Sequence, residues 1–321
     1  YEIILNGISQ TGIGCIASVE AYEKNIIKKH EYTKPEKEDD RVKNIKKLNA
    51  QTGPVLLAYR NNNKISKFLH EVKSENPTYN VFAHDKSNHK IWIVEDKKQI
   101  EKILSQINSM DSLFIADGHH RSAAAARVKK EFSKKNPNHT GNENYNFFLA
   151  VAFPHSEMTI LDYNRIIKGL NGHSIDALLS NIEKNFLIKK HKKEFKPLNK
   201  NTFGMYLDNN WYELMAKKEN IDLIDPVKSL DVSILHDLII EPLLGIKDER
   251  TDPRIDFVGG ARGLKELENR VNNDDFDIAF ALFPTPIEAL INVAEANKVM
   301  PPKSTWFEPK LLDGLLSHLI N

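Results

Sequence analysis

The sequence predicts a mixed α/β protein of the α+β type, in which short apolar strands alternate with helices. Apolar runs of strand length occur at residues 54–59 and 147–153. Residues 112–127 read as a strand that feeds an alanine-rich helix. With 321 residues, 40% of them hydrophobic and 28% charged, the chain is long enough for an ample core and for two domains.

In the N-terminal part, the first 20 residues alternate and break like strands, and Ser18 is placed as the N-cap of a helix from Val19 to about Lys29. The charged stretch 31–50 predicts a surface loop followed by a helix. The elements expected next are a buried strand at 54–59, a helix at 65–72, a strand at 91–96, a helix at 97–107 and a strand at 112–116.

Residues 134–146, which contain Pro, Gly and five Asn, are the best candidate for a domain boundary. We therefore expect a first domain at 1–135, a linker at 136–144 and a second α/β domain at 145–321. The elements expected in the second domain are strands at 147–153 and 159–167, a capped helix at 174–186, a hairpin with an Asn-Asn turn at 204–216, a helix at 230–243 and strands at 254–260 and 277–285.

Composition narrows the classes of function. The chain has 45 basic and 44 acidic residues, a net charge of +1, so no overall basic field points to nucleic acid and a small substrate is expected. Cys15 is the only cysteine, which excludes an intramolecular disulfide and multi-cysteine metal sites and agrees with a cytoplasmic setting. No apolar run approaches the length of a membrane span, so no membrane association is expected. The chain begins at Tyr1 without Met, and an N-terminal segment is expected to be missing.

The most informative segment is Asp117 to Arg121, where the predicted strand turns into the predicted helix. A glycine at position 118 and a helix N-terminus together present N–H groups to an anion, most plausibly phosphate. Arg121 can bind phosphate oxygens with two donors, and His119 and His120 can exchange protons near neutral pH. Asp117 can hold a divalent metal or orient a histidine. The alternative interpretation, an Asp cap followed by surface histidines, explains fewer of these residues.

Other motifs are weaker. Residues 12–17 match the dinucleotide pattern GxGxxA, but the cap signal comes later and a turn is the preferred interpretation. His30-Glu31 opens like a zincin motif, yet Lys34 stands where the second histidine is required. Glu31 itself is either a solvated surface residue or a general base. The predicted strand that includes residues 256–260 ends in two glycines, which form either a tight turn or a backbone nest for an anion. Residues 301–306 either line a substrate pocket or anchor a tryptophan in the core.

The segment ADGHHR resembles the signature of the free L-serine kinases of the ParB/sulfiredoxin-like superfamily, and the resemblance extends over essentially the whole chain. The further similar segments are His30 to Thr33, Asp40-Arg41, 54–59, 163–165, 254–260 and 300–310. They look like the large branch of that family, whose members include pyrophosphate-dependent kinases, whereas smaller relatives use ADP or ATP. This chain lacks the usual N-terminal segment of the family, with its Pro-Pro-Tyr-Asp-like stretch.

The resemblance implies a ParB/sulfiredoxin-like catalytic and phosphate-donor domain and a second domain that completes the substrate site. It assigns the catalytic base to Glu31 and donor binding to 117–122, that is Asp117, Gly118, His119, His120, Arg121 and Ser122. His120 and Arg121 join Glu31 as catalytic candidates. Candidates for the serine carboxylate or the far phosphate are Arg41, Arg165, Lys303, Ser304 and Thr305.

The expected reaction moves a phosphoryl group from pyrophosphate, or from ADP or ATP, to the hydroxyl of free L-serine and gives O-phospho-L-serine, which could feed cysteine synthesis or serine breakdown. Mg²⁺ is the expected cofactor, with Asp117 as its candidate ligand. We expect a monomer or homodimer without a nucleic-acid partner. The alternatives are a metal-dependent phosphohydrolase that uses Asp117 with His119 or His120, and a ParB-like nucleic-acid-associated protein.

Overall fold

A computed structural model describes residues 1–273 and 276–321 of the chain. It divides into two compact units, one formed by residues 1–159 together with 307–321 and the other by residues 160–306. Strands and helices alternate in both units, so the predicted mixed α/β class is confirmed.

Residues 1–158 contain ten strands and five α-helices among the described elements. In chain order these are β1 (Glu2–Leu5), β2 (Ile8–Thr11), β3 (Ile13–Ser18), α1 (Val19–Glu23), β4 (Ile27–Lys28), α2 (Pro35–Leu48), β5 (Ala50–Gln51), β6 (Val55–Tyr59), α3 (Asn63–Lys73), β7 (Tyr79–Phe82), β8 (Asn88–Ile91), α4 (Lys97–Asn108), β9 (Leu113–Asp117), α5 (His119–Lys135) and β10 (Phe147–Pro154).

The remaining elements follow in the same order. They are β11 (Thr159–Leu161), β12 (Tyr163–Ile167), α6 (Ile175–Ile182), β13 (Phe186–His191), β14 (Thr202–Leu207), β15 (Asn210–Ala216), α7 (Asp231–Leu235), β16 (Ile255–Gly259), α8 (Leu264–Asn273), β17 (Ile278–Ala281), α9 (Ile287–Glu295), β18 (Trp306–Glu308) and β19 (His318–Leu319). A π-helical turn at His236–Ile240 continues α7. None of the helices in the described parts of the chain is long and apolar enough to cross a membrane.

The core of the first unit is a five-stranded sheet in the order β3-β10-β6-β9-β4. β10 lies parallel to β6 and antiparallel to β3, so both of its edges are paired. Seven of its eight residues are buried, which explains why its sequence is a continuous apolar run rather than an alternating one. α5 packs through Ala125 into the same core.

The second unit contains a six-stranded sheet in the order β13-β15-β14-β17-β12-β16, and its paired strands are antiparallel. The predicted hairpin is present as β14 and β15. Its turn residues are Asp208 and Asn209, both with positive φ, rather than the two asparagines 209 and 210. A two-residue turn of this kind matches the twist of the strands, and Asp tolerates the left-handed conformation nearly as well as Asn.

Several predicted elements are confirmed with shifted ends. Ser18 caps α1 by accepting a hydrogen bond from the Ala21 N–H at 3.2 Å, but the helix ends at Glu23 instead of Lys29. The strand predicted at 91–96 is wrong, since β8 ends at Ile91, the last residue paired with β7. Residues 91–94 instead line an apolar cavity of about 500 Å³, which explains their apolar character.

The structure also excludes the dinucleotide interpretation of residues 12–17, because Ile13–Ser18 is a strand and no helix begins at the glycines. The compact units do not divide at residues 136–144. The chain leaves that loop to form β10, which pairs with β3 and β6, so the loop lies inside the first unit. The functions assigned to each domain stay predictions.

Candidate active site

The predicted junction of strand and helix at Asp117 to Arg121, here called the corner, is present, and Gly118 is the residue that makes it possible. β9 ends at Asp117, α5 begins at His119, and Gly118 between them has φ 103°. A Cβ on Gly118 would lie 2.9 Å from Arg121 Nε and 3.3 Å from Val55 Cα. Both the positive φ and this close approach require glycine. Gly118 has no side chain with which to cap the helix, so the N–H groups at the start of the first turn are candidate donors to an anion.

Two cationic side chains stand at this corner. The Arg121 guanidinium lies 3.6 Å from a carboxylate oxygen of Asp117 and 3.6 Å from one of Asp313. Lys310 Nζ lies 3.3 Å from the same Asp117 oxygen. Burial acts to raise the pKa of Asp117, but Lys310 and Arg121 together hold that pKa below its ordinary value. Asp117 is therefore an ionised carboxylate near neutral pH that contacts both cations.

Lys310 and Asp313 were missed by the sequence analysis. They belong to the C-terminal segment 307–321, which the fold returns to the first unit. Gly53 lies on the other side of this cluster, since a Cβ there would be 2.6 Å from an Asp313 carboxylate oxygen and 3.3 Å from Arg121. The sequence around residues 310–313 contains no motif that indicates a site. These residues lie near Arg121 because segment 307–321 packs with the first unit.

His119, the first residue of α5, connects the corner to Glu31. His119 is 4% exposed, and its Nδ1 lies 3.7 Å from a carboxylate oxygen of Glu31, whose side chain is 46% exposed. The His119 Nε2 accepts a hydrogen bond from the His30 backbone N–H at 3.5 Å, and the two imidazole rings meet edge to face at 4.5 Å. The fold therefore brings Glu31 to the start of α5, which spacing along the sequence could not show.

Burial sets the charge of these histidines. Desolvation lowers the pKa of His30 to about 4 and lowers the pKa of His119 well below its ordinary value. Both rings are consequently neutral near pH 7. The neutral imidazole of His119 therefore lies beside the Glu31 carboxylate without adding a positive charge to it.

The remaining candidates of the first unit lie around the same helix start. His120 Nε2 accepts a hydrogen bond from the Lys34 backbone N–H at 3.0 Å, and burial followed by the charge of Lys37 lowers the pKa of His120. Ser122 Oγ donates to the His119 carbonyl at 3.0 Å, so its hydroxyl is used inside the helix. Arg41 pairs with Asp40 at 2.5 Å on the surface of α2, and its charge contributes to the lowered pKa of His120.

Arg165 and residues 303–305 lie in the second unit. The Arg165 side chain is 0% exposed, donates to the carbonyls of Tyr163, Pro302 and Lys303, and lies 3.5 Å from Glu249. Through these contacts Arg165 holds the backbone of Pro302 and Lys303 in place. Ser304 Oγ donates to the Pro301 carbonyl at 2.6 Å, and Lys303 Nζ lies 5.4 Å from the centre of the Tyr163 ring. Thr305 is half-buried beside them. Their contact with substrate stays a prediction.

The protein groups at the corner do not form a preformed Mg²⁺ site. Mg²⁺ prefers several oxygen ligands in octahedral geometry. The Asp117 carboxylate faces the two cations Lys310 and Arg121, so a metal ion would compete with both for the same oxygen. Asp117 as a metal ligand therefore stays a prediction.

Residues 1–233 match the model of a family described as protein of unknown function (DUF1015), and the chain belongs to this family. The comparison with curated proteins gave no significant match.

Among solved structures, the chain is similar to a conserved hypothetical protein from Pyrococcus furiosus, with 13% identity, 95% of each chain covered and a TM-score of 0.42. It is also similar to a free serine kinase in complex with AMP, with 12% identity, 94% of this chain and 90% of that chain covered and a TM-score of 0.42. SbnI with a C-terminal truncation, from Staphylococcus aureus, has 9% identity, coverage of 94% and 85%, and a TM-score of 0.47.

Proposed function

We propose that this protein is a small-molecule kinase that transfers a phosphoryl group from pyrophosphate, or from ADP or ATP, to the hydroxyl of L-serine. The observation that carries the proposal is the Glu31 carboxylate, which lies 3.7 Å from the first side chain of the helix that begins at the Gly118 corner. A half-exposed carboxylate beside an anion-binding helix start is the arrangement that base-assisted phosphoryl transfer requires.

The corner provides the groups that a phosphate donor needs. The N-terminus of α5 carries partial positive charge, and Gly118 allows a close approach to its backbone. The Arg121 and Lys310 contacts with carboxylates, 3.3 to 3.6 Å, are longer than charge-assisted hydrogen bonds of about 2.7–2.9 Å. Both cations lie beside the helix start, where they can contact phosphate oxygens and neutralise charge during transfer.

In the proposed reaction, Glu31 accepts the proton of the serine hydroxyl while the serine oxygen attacks the terminal phosphorus of the donor. The new bond is serine O–P, and the bond that breaks joins this phosphorus to the bridging oxygen of the donor, which leaves as phosphate when the donor is pyrophosphate. His119 keeps the carboxylate oriented, and Arg121 and Lys310 offset the charge of the transferred group and of the leaving group. Arg41, Lys303, Ser304 and Thr305 are the proposed partners of the serine carboxylate and of the far phosphate.

The direct test is ³¹P NMR of the purified chain with L-serine and either pyrophosphate, ADP or ATP, with and without Mg²⁺. We expect the O-phospho-L-serine resonance with one of these donors and not with O-methyl-L-serine, which has no hydroxyl proton. Phosphate released from the donor without serine would instead indicate the phosphohydrolase. No phosphoserine with any of the donors would contradict the proposal.

A further inference from the structure

The C-terminal segment brings a negative charge as well as a positive one to the corner. Asp313 Oδ1 lies 3.6 Å from Arg121 Nη1, and Arg121 Nη2 lies 3.6 Å from a carboxylate oxygen of Asp117. Lys310 contacts the same Asp117 oxygen. Two cationic and two anionic side chains therefore meet at the start of α5, and together they add no net charge to the partial positive charge of the helix.

Backbone contacts hold Asp313 at this place. The Gly314 N–H, next to Asp313, donates to the Thr52 carbonyl at 2.7 Å. A Cβ on Gly53 would lie 2.6 Å from Asp313 Oδ1, so the lack of a side chain at Gly53 lets the carboxylate come close to the backbone. Further along the segment, β19 pairs with β5, which directly precedes Thr52. The connection between β5 and β6 therefore keeps the Asp313 carboxylate beside Arg121.

The contact with Asp313 does little to hold Arg121 in position. The Asp313 side chain is 74% exposed, and its 3.6 Å distance from Arg121 is longer than a charge-assisted hydrogen bond of about 2.7–2.9 Å. Exposed ion pairs of this kind contribute little to stability. Arg121 also contacts Asp117, so it keeps a carboxylate neighbour when the charge of Asp313 is removed.

The effect of the same carboxylate on a bound anion is larger. Coulomb repulsion extends beyond contact distance and grows with the charge of the ligand. A phosphate group that binds Arg121 must share the guanidinium with Asp313 and is repelled by the Asp313 carboxylate. Because pyrophosphate carries more negative charge than inorganic phosphate, it is repelled more strongly. This repulsion, rather than the weak contact with Arg121, therefore decides how Asp313 acts on anion binding.

We propose that Asp313 is a specificity-determining residue of the donor site, which lowers the affinity of the corner for phosphate anions and lowers it most for those of highest charge. Lys310, from the same segment, has the opposite effect because it adds a positive charge. This inference rests on the proposed function for the assignment of donor binding to the corner. It does not depend on serine as the acceptor.

The test is calorimetric titration of the full chain with pyrophosphate and with inorganic phosphate, in the presence of EDTA. Asp313→Asn should bind pyrophosphate at least about threefold more tightly than wild type, because one negative charge beside Arg121 is removed. The gain for inorganic phosphate should be smaller. Asp313→Glu keeps the charge and should show no such gain. The gain of Asp313→Asn should also shrink as the salt concentration rises, since salt screens exposed charges.

The matched control is Asp111→Asn. Asp111 is exposed and precedes β9 at the end of the strand opposite the corner, so the variant makes the same change in net charge away from Arg121. Its affinity for pyrophosphate should equal that of wild type. Circular dichroism checks that each variant is folded.

Unchanged or weaker pyrophosphate binding in Asp313→Asn would overturn the inference. The same holds for a gain as large with inorganic phosphate as with pyrophosphate, and for an equal gain in Asp111→Asn. If neither wild type nor Asp313→Asn binds pyrophosphate, the role of Asp313 fails together with the corner as the anion site. A gain in Asp313→Asn without phosphoserine formation from any donor would refute the serine kinase and retain the role of Asp313. An active kinase whose Asp313→Asn variant shows no gain would do the reverse.

Discussion

At the level of single residues, solvent exposure separates two roles around the corner. His119 is 4% exposed and neutral, whereas the Glu31 side chain is 46% exposed. A buried ring fixed by the His30 backbone N–H is a rigid support, and a surface carboxylate next to it can reach a substrate. Arg121 and Lys310 add charge at the same helix start.

Glu31→Gln should lower the rate of phosphoserine formation by on the order of 10²–10⁴-fold, because the amide cannot accept the serine proton. Donor affinity should stay nearly unchanged, since Glu31 is the proposed acceptor of the serine proton and is not among the proposed donor-binding residues. The matched control is Glu36→Gln, the same change on the exposed first turn of α2. Rates from ³¹P NMR and donor binding by calorimetry measure both effects, and near-normal turnover in Glu31→Gln would refute its role as the base.

Arg121→Ala should weaken donor binding and reduce the rate together, because it removes a two-donor contact for phosphate. Arg127→Ala is the control, since Arg127 lies on the same helix and pairs with Glu38 and Asp39 on the surface. Calorimetric titration with the donor compares the two variants. Equal donor affinities would place the phosphate elsewhere.

Asp231 in the second unit provides a pH-dependent prediction. Burial raises the pKa of Asp231 from 3.8 to about 6. The folded state therefore binds more protons than the unfolded state between these values, and the contribution of Asp231 to stability is present below pH 3.8 and lost as the pH rises through 6. The shift corresponds to roughly 3 kcal/mol.

Asp231→Asn removes this titration while its side-chain oxygen can still accept from the Asn201 N–H. We expect the free energy of unfolding of the variant, relative to wild type, to rise by up to roughly 3 kcal/mol between about pH 4 and pH 7.5. Urea denaturation at both pH values measures it. Asp237→Asn, at an exposed position on the following turn, should show no such rise, and a constant difference for Asp231→Asn would contradict the prediction.

At the level of elements, the corner depends on how β9 passes into α5. Gly118 has φ 103° and packs against Arg121 and the β6 backbone. Gly141 has φ 93°, but a Cβ there would meet no atom of the described residues within 4 Å. Substitution of either glycine therefore strains the backbone, and at Gly118 the added Cβ also collides with neighbouring atoms.

Gly118→Ala and Gly141→Ala should each cost about 1–3 kcal/mol from the positive φ. Gly118→Ala should cost about 1–3 kcal/mol more because its methyl group is forced against β6 and Arg121. Denaturant unfolding of both variants measures the difference. Equal losses would show that Arg121 moves away freely and that the corner is not tightly packed.

At the level of the whole molecule, the second unit is inserted between two segments of the first. Its six-stranded sheet, its apolar cluster and the buried Arg165 contacts all lie within residues 160–306. By contrast, the first unit needs the C-terminal segment, because β19 pairs with β5 and Ile320 packs with Ile45. One unit is thus continuous in sequence and the other is not.

A fragment of residues 160–306 should consequently fold alone, with a cooperative urea transition and dispersed NMR signals. The fragment 1–159, which lacks β19 and Ile320, should unfold at lower denaturant than the first unit does in the full chain. A fragment 160–306 without a cooperative transition would show that its core depends on the rest of the protein.

Much of the secondary structure of this protein could be predicted from its sequence, because it depends on local physical chemistry. The mixed α/β class, the buried strand β6, the helix α4, the Ser18 cap and the Gly118 corner follow from apolar periodicity and from backbone preferences, which act over a few residues. The prediction of a strand at 91–96 was wrong because an apolar run can also line a cavity, and periodicity does not distinguish a strand from a cavity wall.

Long-range packing decided the rest. The approach of Glu31 to His119, the pairing of Lys310 and Asp313 with Asp117 and Arg121, and the burial of Arg165 join residues that are far apart in the chain. The extent of each unit also depends on which strands pair, since β10 crosses the expected boundary and the last residues return to the first unit. The sequence by itself determined most of the strands and helices and the Gly118 turn between β9 and α5. Only the tertiary structure decided which charged residues and histidines surround that corner. Those contacts depend on packing between segments that are far apart in the sequence, which no local pattern encodes.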